Sequence, residues 1–498
     1  MKALMKMCRI KCSKRPGTII SWICSVSAAL LLTGCIMLGP DYVPPEQKVP
    51  ESWQDKSVDG LRQSAPAPEV LAEWWSTLHD PVLSDLIQRA VANNPDLGQA
   101  RARIREQRAR RNISRAGLFP ILDASGSYSK SKSSEDRGTG KETDVYSADV
   151  DASWELDIFG GTRRSLEAAT AELEAGEEDL RDVLVSLLAE VALNYTEVRI
   201  LQARVDVVEK NIILQDQAHE LARSLYDSGL SGGLGMQQAK YNLENTRSQV
   251  PVLRISLEEA KNRIALLLGE APGPVQKVLK EHGPVPVCPP EIAVGVPADV
   301  LRQRPDIRRA ERKLAAQTAR IGAATADLYP KLSLSGSIGY ESLDPDKLFL
   351  AGSRGWGFGP RITWPIFRAG SIRSNIEVQS ALQEELLGRY ESVVLNALGE
   401  VENQLTVYME EQIRKQNLKE ARQAAMLALD LALDQYRAGM TDFTDVLDAQ
   451  RSLLSFEDNL IQCEGNLVSG LVRLYKALGG GWTSLAAGSA VPGAEKQE

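Results

Sequence analysis

Tyr146-Ser-Ala-Asp-Val-Asp-Ala-Ser-Trp-Glu-Leu156 is the stretch on which the fold turns. Tyr146, Ala148, Val150, Ala152, Trp154 and Leu156 occupy one face of an extended chain, and Ser147, Asp149, Asp151, Ser153 and Glu155 the other. Successive side chains of a strand point to opposite faces, so the run predicts a strand with one apolar and one polar side. Trp356, Phe358, Ile362 and Trp364 alternate in the same way with Gly355, Gly357, Gly359, Arg361 and Thr363, as do Leu332, Leu334, Ile338 and Tyr340 with Lys331, Ser333, Ser335 and Ser337. A more polar run lies near Leu122 to Lys130. Each run is about ten residues, the length of a tilted membrane-spanning strand, and Trp154 and Trp364 near strand ends suit an aromatic girdle. Two hairpins packed on a soluble core would alternate as well. Four strands cannot close a barrel, because the smallest membrane barrels have about eight and lipid tolerates no open sheet edge. A membrane reading therefore makes several chains share one barrel.

Working outward, the landmarks around these strands occur twice. Pro95-Asp96 recurs as Pro305-Asp306, Phe119-Pro120 as Tyr329-Pro330, Trp154 as Trp364 and Glu190-Val191 as Glu400-Val401. Tyr226-Asp-Ser-Gly229 recurs as Tyr436-Arg-Ala-Gly439, and Leu268-Gly269 as Leu478-Gly479. The offset is 210 residues each time, so the chain holds two copies of a unit of about 180 residues. The expected divisions are a leader at 1–34, an extended segment at 35–80, a first repeat at 81–270, a Pro-rich linker at 271–300, a second repeat at 301–482 and a disordered tail at 483–498. In each repeat a helix opens at Asn94-Pro95 or Arg304-Pro305, two strands follow, then a very long helix, a Gly break and a returning helix.

No proline interrupts Gly161 to Tyr226, and Leu184, Val191, Val198, Val205 and Ile212 recur every seven residues, with Leu187, Leu201 and Val208 at the partner positions. This is a coiled-coil seam. At 1.5 Å per residue the helix reaches roughly 100 Å, about three bilayer cores, which no compact domain needs. A lipid-anchored periplasmic coiled-coil scaffold would share the seam but would not need the strands.

Lys2, Lys6, Arg9, Lys11, Lys14 and Arg15 precede an apolar run that ends Leu32-Thr33-Gly34-Cys35. The pattern is that of a secretory signal, and its apolar run is shorter than the ~20 residues of a retained transmembrane anchor. The ending resembles a bacterial lipobox, which implies that Cys35 is acylated and becomes the first residue after cleavage. Under the same resemblance Ile36, standing where an aspartate favours inner-membrane retention, permits passage to the outer membrane. Loss of the leader removes six basic residues and no acid, taking the net charge from −8 to −14. An acidic chain is a poor partner for nucleic acid. Three histidines and the cysteines left after cleavage, Cys35, Cys288 and Cys463, form no metal-site spacing or disulfide framework, and no phosphate loop or Gly-x-Ser-x-Gly nucleophile occurs. No cofactor, metal or enzymatic activity is expected.

The segment Ala298-Asp-Val-Leu-Arg-Gln-Arg-Pro-Asp-Ile-Arg-Arg-Ala-Glu311, the opening Gly39-Pro-Asp-Tyr-Val-Pro44, the pair Trp74-Trp75, and Leu266-Leu-Leu-Gly269 followed by Pro272 resemble the TolC/OprM family of outer-membrane factors, closest to its NodT-like lipoprotein branch. The resemblance implies a mostly α protein that trimerises into a twelve-stranded β-barrel, four strands per chain, continued by an α-helical barrel. It implies a lipid-anchored outer-membrane exit channel that receives small molecules from a periplasmic adaptor (membrane fusion protein) and a resistance-nodulation-division (RND) pump of the inner membrane. A channel for polypeptide secretion would use the same duct.

The family closes its tunnel at the periplasmic helix turns. Asp445 and Asp448 match positions where TolC carries paired aspartates in the constriction, and Tyr436 matches a tyrosine that helps lock the closed tip. Thr441 stands where TolC has the arginine of that lock, and Gly232, Gly233 and Gly235 loosen the matching turn of the first repeat. Helix capping and first-turn dipole stabilisation are the alternative duty of the aspartates.

Overall fold

The computed structural model describes residues 37–46, 49–50, 52–53, 61–62, 68–136, 140–289 and 292–482. The leader, Cys35 and the tail at 483–498 lie outside the described residues. The first repeat comprises α1 (Pro81–Asn93), α2 (Pro95–Ala116), β1 (Ile121–Lys132), β2 (Glu142–Leu156), α3 (Gly161–Asp227) and α4 (Gly233–Leu267). The second comprises α5 (Pro297–Gln303), α6 (Pro305–Ala326), β3 (Lys331–Ser342), β4 (Arg354–Thr363), α7 (Ser371–Arg437) and α8 (Phe443–Ala477). Four pairs, α2/α6, β1/β3, α3/α7 and α4/α8, have both ends offset by 210 residues. The duplication therefore extends to helix and strand boundaries. α3 and α7 are each 67 residues long.

Two compact units emerge among the described residues, one within 37–42, 111–169 and 316–382 and one within 43–110, 170–315 and 383–482. The first contains an antiparallel sheet in the order β1-β2-β3-β4, with hairpins β1–β2 and β3–β4 joined side by side through β2 and β3. In the second the heptad residues Leu184, Leu187, Val191, Val198, Leu201, Val205 and Val208 are buried, and Ile212 packs at the margin of the same core. That core also takes in Trp74, whose ring stacks on Tyr475 with centroids 5.6 Å apart.

The helix entrances show how the two repeats solve one problem. Asn94 caps α2 by accepting from the Leu97 amide and donates through Nδ2 to the Leu267 carbonyl at 2.8 Å. Its counterpart Arg304 donates to the Ala477 carbonyl, 210 residues after Leu267, at 2.9 Å, and to Asp306 and Glu400. The arginines of the segment at 298–311 and just beyond it zip α6 to α3: Arg308 meets Glu178, Arg309 meets Asp179 and Asp182, and Arg312 meets Glu174. Burial raises the pKa of Glu178 and of Asp182 against the pull of these cations.

Two sequence expectations are refined. The segment at 35–80 is not extended throughout, since Pro68–Ala72 is helical and Trp74–Leu78 forms a 3-10 turn that buries Trp74 and Trp75. Indole burial, rather than local propensity, fixes that turn. The linker at 271–300 includes the helical turn Pro274–Val278, and Ile292–Ala293 pairs in parallel with Leu61–Arg62. α4 also runs through Pro251, which is exposed and lacks the N–H that would bond the Arg247 carbonyl one turn back, without ending the helix.

Candidate functional site

The sheet register places the alternation in space. Ala124, Val150, Ile338 and Trp356 form one cross-strand row; Leu122, Ala152, Gly336 and Phe358 the next; Leu156, Leu332 and Ile362 lie beyond. On the opposite face the rows read Asp123, Asp151, Ser337, Gly357 and Ser125, Asp149, Gly339, Gly355. The apolar positions assigned from the sequence that lie within the four strands share one face, Trp364 falling just past the end of β4, and Trp356, Phe358 and Ile362 are each more than two-thirds exposed. An uncovered apolar face of this extent needs lipid or a partner. Within the described sheet β1 and β4 each pair on one side only, leaving two ladder edges. Among the described residues no helix is long and apolar enough to cross a membrane, which says nothing of a β-barrel.

Both tryptophans are tied to the helix that precedes their hairpin. Trp154 donates from Nε1 to the Leu118 carbonyl at 3.0 Å and Trp364 to the Leu328 carbonyl at 3.1 Å, again 210 residues apart at both partners. The indole stays at the surface while its N–H is satisfied, the arrangement expected of an interfacial aromatic.

The second place of interest lies in the other unit, at the α3–α4 and α7–α8 turns. Gly229 and Gly439 adopt φ of 71° and 69°, the left-handed conformation that ends a helix in a Schellman turn. Leu230 N donates to Leu225 O at 2.8 Å and Met440 N to Gln435 O at 2.9 Å, closing the two turns alike. Tyr436 is buried, with its ring edge-to-face on Phe443 at 5.3 Å, and burial raises its phenol pKa. Asp445 and Asp448 are exposed one turn apart on α8, and Asp445 accepts a hydrogen bond from the Thr441 hydroxyl. Asp442, at the N-cap of α8, makes no side-chain cap bond.

The structure thus places Tyr436, Thr441, Asp445 and Phe443 at one turn, and Gly235 of the first repeat beside them: a Cβ on Gly235 would stand 3.2 Å from Phe443 Cβ. That glycine serves close packing, a role its sequence context does not reveal. Sequence reasoning also misses Arg164 and Asp41, which pair at 2.7 Å. Asp41 lies in the motif Gly39–Pro44, but the signal for Arg164 is only a departure from the internal repeat, Arg164 facing Ser374 at the 210-residue offset.

A family model described as outer membrane efflux protein matches residues 86–270 and again 296–480, two segments that are themselves 210 residues apart. The toluene efflux pump outer membrane protein TtgC of Pseudomonas putida is 33% identical over 461 residues, covering 91% of this chain and 94% of TtgC. Nodulation protein T of Rhizobium leguminosarum bv. trifolii is 29% identical over 459 residues, covering 92% and 97%. The solved outer-membrane channel OprN superposes with a TM-score of 0.84 at 35% identity, covering 90% of this chain and 99% of OprN. With its duplicated helices, its one-sided sheet and these relatives, the chain belongs to the outer membrane efflux protein family and is a channel protein of the outer membrane.

Proposed function

We propose that three copies of this chain join the β1 edge of one to the β4 edge of the next, closing a twelve-stranded barrel whose apolar rows face lipid and whose Ser-, Gly- and Asp-rich rows face the lumen. The long helices of the three copies line a periplasmic tunnel. The assembly is the exit duct of a tripartite efflux system, taking small molecules from an RND-type inner-membrane pump through a periplasmic adaptor, and Cys35 anchors each chain by its acyl groups. Asp445, Asp448 and Tyr436 form the periplasmic gate: the ring of Tyr436 packs the turn, and the carboxylates of three chains converge on the axis. The supporting observation is the four-stranded sheet with one uncovered apolar face and two unpaired edges, a form that lipid accepts only when closed by further copies.

Edge pairing is testable by cross-linking. Cysteines introduced together at Ser125 of β1 and Gly357 of β4 are expected to link the membrane-inserted protein into dimers and trimers with a short bismaleimide, and to stop at trimers. Either cysteine alone should give no trimer. The native thiols interfere little, because burial pushes Cys288 up to about 11 and Cys463 up to about 12, leaving little reactive thiolate at neutral pH. Chains that stay monomeric, or a ladder that continues past three, would sink the closed trimer.

A further inference from the structure

The repeat supplies an internal control, and one corner of the molecule departs from it. Where β2 passes into α3, residues 37–41 lie as a strap across the chain. Leu38 N donates to the Phe159 carbonyl at 3.3 Å. Arg164 of α3, its side chain 3% exposed, donates to the carbonyls of Leu38 and Gly39 at 3.1 and 3.4 Å and to Asp41 and Glu167 at 2.7 and 2.8 Å. The strap also sits on bare backbone. A Cβ on Gly322 of α6 would come within 2.7 Å of the Leu38 carbonyl oxygen, and one on Gly160 within 2.9 Å of Met37 Cα. Gly39 itself has φ +87° and faces Gly322 so closely that neither position has room for a side chain.

At the matching corner of the second repeat the turn glycine recurs as Gly370, with φ 84° beside 81° at Gly160. The rest does not. Ser374 replaces Arg164 and Asn112 replaces Gly322, and both are exposed. An arginine buried against two strap carbonyls would be left with unsatisfied donors if the strap departed, so these residues specify an occupied corner.

We propose that Arg164 and Gly322 form a dock for the amino-terminal strap, holding the acylated terminus at the base of β2 so that lipid anchor and barrel enter the bilayer at one fixed relative depth. The proposal rests on the reading of Cys35 as the lipidated residue. Two Cα–Cα steps of about 3.8 Å separate Met37 from Cys35, so the anchor cannot stray more than about 8 Å from the docked strap. Trp154 and Ile158, exposed just before the corner, mark the level at which the sheet meets the membrane surface. A lipid on a free linker would hold the chain near the bilayer; a docked one also sets the sheet's register with it.

Arg164→Met keeps the aliphatic stem and removes the donors. It should be compared with the unchanged chain in two full-length forms, one with the native leader and one with an ordinary cleavable signal and no Cys35. Radioactive palmitate labelling and SDS-resistant trimers in the outer membrane are both read. With the native leader, labelling is expected to persist while trimers fall by at least about tenfold, the scale of one charge-assisted hydrogen bond among the four that Arg164 makes. Without Cys35, Arg164→Met should change nothing further, and Arg164→Lys should restore part of the loss. An equal loss in both forms would make Arg164 a local packing residue and overturn the dock alone. An unlabelled parent chain would overturn the Cys35 reading, and the dock with it.

Discussion

The α3–α4 turn and the α7–α8 turn have one backbone and different contents. Both end in a left-handed glycine, and both leave an apolar residue outside, Leu230 and Met440 at 76% and 79% exposure. Yet Tyr226 is 46% exposed with its ring lying over Gly233, whereas Tyr436 is buried against Phe443, the residue that occupies Gly233's place. Likewise Gly235 and Gln238 stand where the second turn has Asp445 and Asp448. Duplication has kept the positions where backbone conformation is constrained and released those where only side chains decide. The consequence is a division of labour: the first turn accommodates its neighbour through missing side chains, and the second supplies ring and carboxylates.

The same contrast between kept backbone and divergent face can be broken most severely in the sheet. Val150 lies in the apolar row beside Ile338, and Asp151 in the polar row beside Ser337. Val150→Arg is expected to cost about 2–4 kcal/mol of membrane-inserted stability near the bilayer centre, and Asp151→Arg far less. Heat-modifiable trimers in purified outer membranes measure the difference. Equal tolerance of the two substitutions would mean that the apolar rows do not face lipid.

Much of this architecture is legible in the sequence, for identifiable reasons. Alternation, heptads and turn glycines are local signals, set by strand and helix geometry within a few residues, and they put Val150, Leu184 and Gly439 where the structure has them. What escapes is long-range. Arg164 meets Asp41 across 123 residues, and Arg199 pins the linker by donating to the Glu281 carbonyl across 82. Neither arginine sits in a periodic pattern that announces its partner. Gly235 reads locally as a loosened turn, because a glycine's sequence neighbours do not disclose which side chain from another helix approaches it.

That approach gives a test of the turns of middle size. Gly235→Asp copies the second turn into the first, but its Cβ would crowd Phe443 Cβ at 3.2 Å while meeting the Tyr436 hydroxyl in ordinary contact at 3.5 Å. Overpacking of this kind costs about 1–3 kcal/mol, partly offset by the better helix propensity of aspartate. The reverse change, Asp445→Gly, creates no clash and should cost about 1 kcal/mol through backbone freedom. Denaturation midpoints of the detergent-purified protein compare them. If Gly235→Asp proves the milder, the two turns do not pack as described.

The smallest expected change in stability accompanies the largest expected change in conductance. Asp445 and Asp448 lie three residues apart on one face of α8, so a trimer would gather six carboxylates around its axis. Their mutual repulsion at a narrow constriction favours cations and should bind a hexaammine cation that blocks the pore. Asp445→Asn with Asp448→Asn keeps size and leaves an acceptor for the Thr441 hydroxyl while removing the charge. Loss of the favourable first-turn charge of Asp445 should cost only about 0.3–1 kcal/mol, and Asp448, beyond the first turn, adds less. Trimers are therefore expected to persist while cation selectivity and hexaammine block disappear from planar-bilayer recordings. The first turn sharpens the reading, because Gly235 and Gln238 contribute no charge there and cannot mask the loss. Unchanged selectivity with a lowered denaturation midpoint would assign the two aspartates to the helix end and move the constriction elsewhere.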